Sequence, residues 1–189
     1  ASLGGAIAAD VHGKNHLLDG SFRRCVDWVE VIDHTGAARR LGPNDPDFTA
    51  VCGGMGLSGI ITRAAIRLRP VTSGWIAQRT IPVDSLEAAI DVFEENLDKP
   101  YSVAWIDCLS HPPRLGRSLI MLGRHVGAEE LPRKLRRAPF ETPRRLPLAV
   151  PFALPSFALN PVRLRIFTAL YSRAGRRKAG DGLIDWDRY

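Results

Sequence analysis

The stretch "GMGLSGIITRAAIRLRP", Gly54–Pro70, decides between two kinds of fold. Gly54, Gly56 and Gly59 match G-x-G-x-x-G, a pattern typical of Rossmann dinucleotide-binding units, in which the last glycine opens a helix that holds the pyrophosphate. After residue 62, apolar side chains instead alternate with arginines, which is the period of a strand with one solvated face. The acidic residue expected about 20 positions further on is also missing. The stretch therefore predicts a tight turn into a strand over residues 60–69 and excludes a Rossmann unit.

Further strand and helix patterns lie on both sides of this stretch. A hairpin is predicted over residues 25–41, with "DHTG" as its turn, and strands are predicted over 74–83, 101–109 and 118–126. Residues 84–97 predict a helix with Asp84 and Glu87 at capping-box spacing and an apolar stripe of Leu86, Ala89, Ile90, Phe93 and Leu97. This order of elements indicates an α+β fold with a boundary near residues 70–74.

Composition limits the class of protein. The chain has 189 residues, of which 45% are hydrophobic, and a formal net charge of +6. Residues 1–113 carry 10 Lys and Arg against 14 Asp and Glu, whereas residues 114–189 carry 16 against 6. The basic part suits phosphates, nucleic acid or an anionic membrane surface, or is simply a solvated surface. No apolar run reaches 18 residues and no signal peptide is visible, and we expect the chain to be an internal piece of a longer protein.

Three cysteines, Cys25, Cys52 and Cys108, are widely spaced among apolar neighbours. Their odd number and their spacing argue against a disulfide framework, so we expect buried free thiols with a structural role.

The region 127–165 is rich in proline and arginine, with seven prolines between Leu131 and Arg163. Prolines at this density oppose a regular helix or a central strand, so we expect a long loop that is mobile or laid on a surface. Such a loop is typical of a lid or a contact surface. The following "RLRIFTALYSRAGRRK" predicts a short amphipathic helix.

The segment "DVHGKNH", residues 10–16, follows a small, glycine-bearing stretch that predicts a packed loop or a short helical turn. Three interpretations stay open on spacing alone. Asp10, His12 and His16 could bind a metal; the segment could be an ordinary polar loop; or it could bind an anionic cofactor. In the last case Gly13 would admit a close ligand, Lys14 would supply positive charge and His12 would donate a hydrogen bond.

The motifs "GGAIAADVHGKNH", "GSF" and "GGMGLSGII", in this order, resemble the PCMH-type FAD-binding proteins of the vanillyl-alcohol-oxidase superfamily. Within it the chain is most similar to the family of bacterial decaprenylphosphoryl-β-D-ribose 2′-oxidases, also through "SVAWIDCLS", "PPRLGRS" and "LP…FALNP". The resemblance implies that residues 1–72 are the C-terminal portion of an FAD-binding domain. Residues 73–189 would be the N-terminal portion of an antiparallel-sheet substrate domain, which covers the flavin.

The resemblance also implies a set of site residues. The backbone groups of residues 2–5 would contact FAD, His12 and Lys14 would be catalytic and face the substrate, and no metal is expected. The cofactor-binding set would comprise Ser2, Leu3, Gly4, Gly5, His12, Gly13, Lys14, Asn15 and Ile61, and Trp105 would line the substrate pocket. The chain departs from the family at Leu17, where relatives often have a second histidine, and at Met55, where they often have asparagine.

The activity implied by the resemblance is oxidation of a sugar secondary alcohol to a ketone, with hydride transfer to flavin N5. The substrate would be a polyprenyl-phosphate-linked ribose of cell-envelope arabinan biosynthesis; the alternative is an oxidase of free alditols or sugar lactones. We expect a bacterial protein in the cytoplasm or peripheral at the membrane, served by a partner reductase, and we expect this stretch alone to be inactive. A noncatalytic basic module is a hypothesis of another class, but the arginines lack the interleaved aromatics of nucleic-acid binders, so no nucleic acid is expected.

Overall fold

The computed structural model describes residues 2–143 and 160–189. The chain divides into two compact units, Ala1–Pro70 and Val71–Tyr189. Each contains its own antiparallel sheet. The model therefore contains the mixture of helices and antiparallel strands that the sequence predicts.

The first unit is built on a three-stranded sheet of order β2-β1-β3. Its elements are α1 (Leu3–Ala8), α2 (His16–Asp19), a 3₁₀ turn (Phe22–Cys25), β1 (Val26–Ile32), β2 (Ala38–Leu41), α3 (Phe48–Val51) and β3 (Ile60–Ile66). The buried core joins one side of α1 to β1, β2 and α3, through Ile7, Val26, Val29, Val31, Leu41, Phe48, Val51 and Cys52. The predicted hairpin and the strand after Gly59 are confirmed, although β3 ends at Ile66.

The second unit is built on a four-stranded sheet of order β5-β6-β4-β7. Its elements are β4 (Trp75–Val83), α4 (Leu86–Glu94), β5 (Tyr101–Ile106), β6 (Ser118–His125), a 3₁₀ turn (Ala128–Glu130), α5 (Arg133–Arg136), α6 (Pro161–Arg177) and β7 (Gly180–Asp185). On one face α4 packs against Ile120 and Leu122, and on the other α6 reaches Leu119. Consecutive strand residues point to opposite faces, so the two helices cover opposite sides of the sheet.

Helix α4 differs in detail from its prediction. Its N-cap is Ser85, whose hydroxyl accepts a hydrogen bond from the Ala88 N–H at 3.2 Å, so the assignment of Asp84 as the cap was wrong. The predicted stripe was also partly wrong, because Leu86 and Ile90 are exposed. The helix packs instead through Ala88, Ala89, Val92 and Phe93.

A turn held by a buried carboxylate follows β5. Asp107 is 2% exposed and accepts hydrogen bonds from the Ser110 hydroxyl at 2.6 Å and from Arg117 Nη2 at 2.6 Å. Burial opposes ionisation of Asp107, yet these two donors and the Leu109 N–H together hold its pKa below the ordinary value. The carboxylate therefore ends β5 at Ile106, earlier than the predicted residue 109.

The cysteine prediction holds for only one of the three residues. Cys52 is buried, and burial raises the pKa of its thiol, but Cys25 is half-buried and Cys108 is exposed, so the expectation of three buried thiols was wrong. All three are free. Cys108 is exposed because it lies in the turn that follows β5, beyond the sheet.

The proline-rich region is not a loop throughout. Short helical turns form at Ala128–Glu130 and Arg133–Arg136, and α6 begins at Pro161, inside the predicted loop. Asn160 caps α6 by accepting from the Arg163 N–H at 2.9 Å, and proline suits the first helical turn because its missing N–H has no partner there anyway. The predicted amphipathic helix is thus confirmed, and residues 144–159 of the predicted mobile loop lie outside the described residues. None of the described helices is long and apolar enough to cross a membrane.

Candidate functional site

The two motifs singled out by sequence meet in the first unit. The carbonyl of Ala8, the last residue of α1, accepts hydrogen bonds from the N–H groups of Gly53 at 3.1 Å and Met55 at 2.8 Å. The glycine-rich turn that precedes β3 is thereby fixed against the end of α1. The first and second motifs, more than 40 residues apart in sequence, form one local structure.

The start of this structure is the short helix α1. The Ser2 hydroxyl accepts a hydrogen bond from the Gly5 N–H at 3.1 Å and so caps the helix. Leu3 and Gly5 are exposed and Gly4 is half-buried. A side chain at Gly4 would meet no atom within 4 Å. Residues 2–5 thus lie on a surface, and the Ser2 side chain has a role within the fold.

Asp10 anchors the loop between α1 and α2. It adopts φ +43°, accepts hydrogen bonds from the Ser21 hydroxyl and the Arg23 N–H, both at 2.8 Å, and lies 3.4 Å from Arg23 Nε. These contacts occupy both carboxylate oxygens. Among residues 2–143 and 160–189, no group of three or more His, Cys, Asp or Glu side chains is placed to hold a metal ion.

The next residues form a compact polar turn. The His16 N–H donates to the Gly13 carbonyl at 3.2 Å, and Asn15 Nδ2 donates to Asp19 Oδ2 at 2.8 Å. The rings of His12 and His16 lie 4.9 Å apart. His12 is exposed, Lys14 is half-buried, and burial lowers the pKa of the Lys14 amine. The structure thus brings two imidazoles and an ammonium group to one surface turn.

Different structural constraints apply at the three glycines of G-x-G-x-x-G. A Cβ at Gly54 would lie 2.0 Å from the Ala50 carbonyl oxygen, and a Cβ at Gly59 would lie 2.6 Å from that of Ile32. Gly59 also has φ +138° and Gly56 has φ +82°, but Gly56 has open space around it. Packing and backbone conformation account for the motif, so these glycines are not by themselves an indication of a nucleotide.

The two remaining candidates lie in regular strands. Ile61 is half-buried, packs against the core and pairs with Val31 of β1. Strand β3 lies at the end of the strand order of this sheet, so only β1 pairs with it there. Trp105 belongs to the second unit, where its ring lies 4.9 Å from that of Tyr171 on α6.

Sequence reasoning missed the residues that support the polar turn. Asp19 forms an ion pair with Arg69 at 2.5 Å, which connects α2 to the C-terminal end of the first unit. Exposed apolar side chains also flank the turn, namely Val11, Leu17 and Leu18, with Met55 at 73% exposed on the adjoining glycine-rich turn. The Asp19–Arg69 pair spans 50 residues and leaves no local sequence signal, whereas the run of apolar residues beside the polar segment could have been noticed.

The chain is similar in sequence to known proteins. The chain is 38% identical over 154 residues to decaprenylphosphoryl-beta-D-ribose oxidase from Mycolicibacterium smegmatis, across 78% of this chain and 34% of that protein. The chain is related to that enzyme. It is also 31% identical over 190 residues to an uncharacterized protein in the mprA 5′ region of Streptomyces coelicolor, across 95% of this chain and 51% of that protein. No known family profile matches the chain.

The chain thus spans between a third and about half of the length of these two relatives.

Proposed function

We propose that this chain forms part of an FAD-dependent oxidoreductase that oxidises a secondary alcohol of a sugar to a ketone. The proposed substrate is a ribose linked to a polyprenyl phosphate. The observation that carries the proposal is the 38% identity to an enzyme named for oxidising decaprenylphosphoryl-β-D-ribose. In this proposal the first unit contacts the flavin.

The exposed surface of the first unit fits an FAD molecule chemically. A flavin combines an apolar ring with carbonyl oxygens and phosphates, and so needs both apolar cover and hydrogen-bond donors. Val11, Leu17 and Leu18 supply exposed apolar surface on either side of the polar turn. His12 and Lys14 supply donors.

The chain's own residues would bind and orient the reactants. When bound, FAD would accept the hydride of the carbinol carbon at N5. His12, exposed in the turn, is suited to hydrogen-bond the alcohol whose proton must leave, because a histidine exchanges protons near neutral pH. Lys14 would stabilise negative charge, and Asp10 would hold the turn through Ser21 and Arg23. We assign Trp105 to the lining of the substrate pocket.

The test is the visible absorption spectrum of the protein expressed at the full length of its gene. Flavin bands, bleached anaerobically by a polyprenyl-phosphate-linked ribose, are the expected result. Bleaching by free alditols or sugar lactones alone would replace the lipid-linked substrate with a soluble one. A protein that stays colourless after addition of FAD would overturn the proposal.

Two variants test the proposed roles of Lys14 and His12 in the polar turn. Lys14→Met should weaken FAD binding by about tenfold or more, since a hydrogen bond from a charged donor contributes about 1.5–3 kcal/mol. His12→Gln should lower the rate of bleaching more than it lowers FAD affinity. The matched control is His34→Gln, which changes an exposed histidine in the β1–β2 turn and should alter neither. An unchanged FAD affinity in Lys14→Met would remove Lys14 from the cofactor site.

A further inference from the structure

Helix α6 packs one of its sides against the sheet of the second unit. Ser172 is 2% exposed, and Tyr171 lies against Trp105. At Gly175 an added Cβ would lie 2.1 Å from Leu119 Cδ1, so the helix backbone approaches the sheet closely there. These contacts determine which side of the 17-residue helix faces outward.

The outer face carries an apolar stripe. Val162, Ile166 and Leu170 follow one another at four-residue spacing and are 65%, 56% and 63% exposed. Residues at this spacing lie on one side of a helix. Phe167, at 58% exposed, widens the stripe. A helix on the surface of a globular domain ordinarily turns polar residues outward, so this face is unusually apolar.

The same face is cationic. The helix contains five arginines and no acidic residue. Arg173 and Arg177 continue the stripe at three- and four-residue steps beyond Leu170, and neither has an ion-pair partner within the described ranges. Arg176, by contrast, pairs with Asp84.

We propose that the outer face of α6 docks on the surface of an anionic lipid bilayer. Amphipathic helices with apolar residues beside arginines lie in the plane of the interface, where their apolar side is buried and their cations meet anionic headgroups. A nucleic acid would attract the arginines but would gain nothing from the exposed apolar stripe, so the combination favours lipid. The inference rests on α6 and not on the proposed reaction, although a lipid-linked substrate would be met at such a surface.

Vesicle flotation of the full-length protein tests the inference. Vesicles of phosphatidylcholine and phosphatidylglycerol should carry the protein, pure phosphatidylcholine should carry much less, and high salt should weaken the binding. The double variant Arg173→Gln/Arg177→Gln should bind about 25-fold more weakly, at roughly fivefold for each cation lost near an anionic surface. Ile166→Gln/Leu170→Gln should lose at least about tenfold, because it removes two apolar groups from the interface.

The matched control is Arg114→Gln/Arg188→Gln, which removes the same charge from exposed positions outside α6 and should bind within about twofold of the parent. Far-ultraviolet circular dichroism and the flavin spectrum are recorded for every variant, and only variants with parental spectra are compared. Equal binding to neutral and anionic vesicles, or parental binding by both α6 variants, would overturn the inference. Tight binding to duplex RNA that is unaffected by Ile166→Gln/Leu170→Gln, without vesicle binding, would assign the surface to nucleic acid instead.

Discussion

Replacing Gly59 by alanine should destabilise the sheet of the first unit, whether or not a cofactor is bound. The new Cβ would lie 2.6 Å from the Ile32 carbonyl oxygen and 2.6 Å from Val31 Cγ1, both on β1. A non-glycine residue at φ +138° costs about 1–3 kcal/mol, and overpacking of this kind costs about another 1–3 kcal/mol. The expected loss of about 3 kcal/mol or more is a large fraction of the stability of a unit of this size.

Gly56 supplies the matched control because it belongs to the same motif. It has φ +82° but open space around it, so Gly56→Ala should cost only about 1 kcal/mol of backbone strain. Gly54→Ala should resemble Gly59→Ala, since its Cβ would lie 2.0 Å from the Ala50 carbonyl oxygen. If packing explains the motif, Gly59→Ala and Gly54→Ala should lower the stability of the first unit more than Gly56→Ala does. If the glycines were needed only for a ligand, no such order of stabilities would be expected.

Amide hydrogen exchange on peptides from β1 and β3 measures this local stability directly. A loss of about 3 kcal/mol lowers protection by more than about a hundredfold, and 1 kcal/mol lowers it by about fivefold. The exchange should be compared with and without FAD. If Gly59→Ala keeps parental protection in the absence of FAD, or Gly56→Ala is as damaging as Gly59→Ala, the packing explanation of the motif is wrong.

Four further substitutions test other contacts. Ser85→Ala should lower the free energy of unfolding by about 1 kcal/mol through loss of the α4 cap, whereas Asp84→Ala should lower it by less, because an exposed ion pair contributes little; urea unfolding compares them. Asp10→Asn should destabilise the first unit by about 1–3 kcal/mol, because an asparagine side chain has only one oxygen and so cannot accept both hydrogen bonds in the same way. The melting temperature measures this loss. The depressed pKa of Asp107 means that its contribution is present above the ordinary carboxyl pKa and is lost as pH falls below it. Asp107→Asn should therefore flatten the acid limb of stability against pH, and an unchanged limb would show that the Arg117 pair does not contribute.

Local patterns in the sequence predict most of the regular elements. Alternation over "RAAIRLR" predicts β3, and the apolar run Leu119–Leu122 predicts β6. The pattern fails at β7, whose sequence "GDGLID" has two glycines and reads as a turn. Its pairing with the edge of β4 is a tertiary contact, and no local propensity encodes it. The displaced cap of α4 has the same origin, because Ser85 and Asp84 are both good caps and packing selects between them.

The candidate site could be predicted in its parts but not in its assembly. The segment 12–16 is conspicuous for its density of polar side chains, and the structure keeps these residues in one turn. The shared Ala8 carbonyl that joins the two motifs, and the contacts of Asp10 with Ser21 and Arg23, depend on backbone geometry. Aspartate is a common metal ligand, so the sequence alone allows Asp10 that role. The structure shows instead that both carboxylate oxygens of Asp10 accept hydrogen bonds from within the fold.

The glycine motif and the polar turn differ in how strongly they indicate a bound ligand. Gly54 and Gly59 are required by their neighbours, so their presence would be expected even in a relative that binds nothing. His12 is different, because its side chain is exposed and does not belong to the buried core of the first unit. A residue whose type is unexplained by packing is the better indication of a ligand. The case for a cofactor in this chain therefore rests on the turn at residues 12–15, and the glycine-rich turn serves it by fixing the end of α1 from which that turn departs.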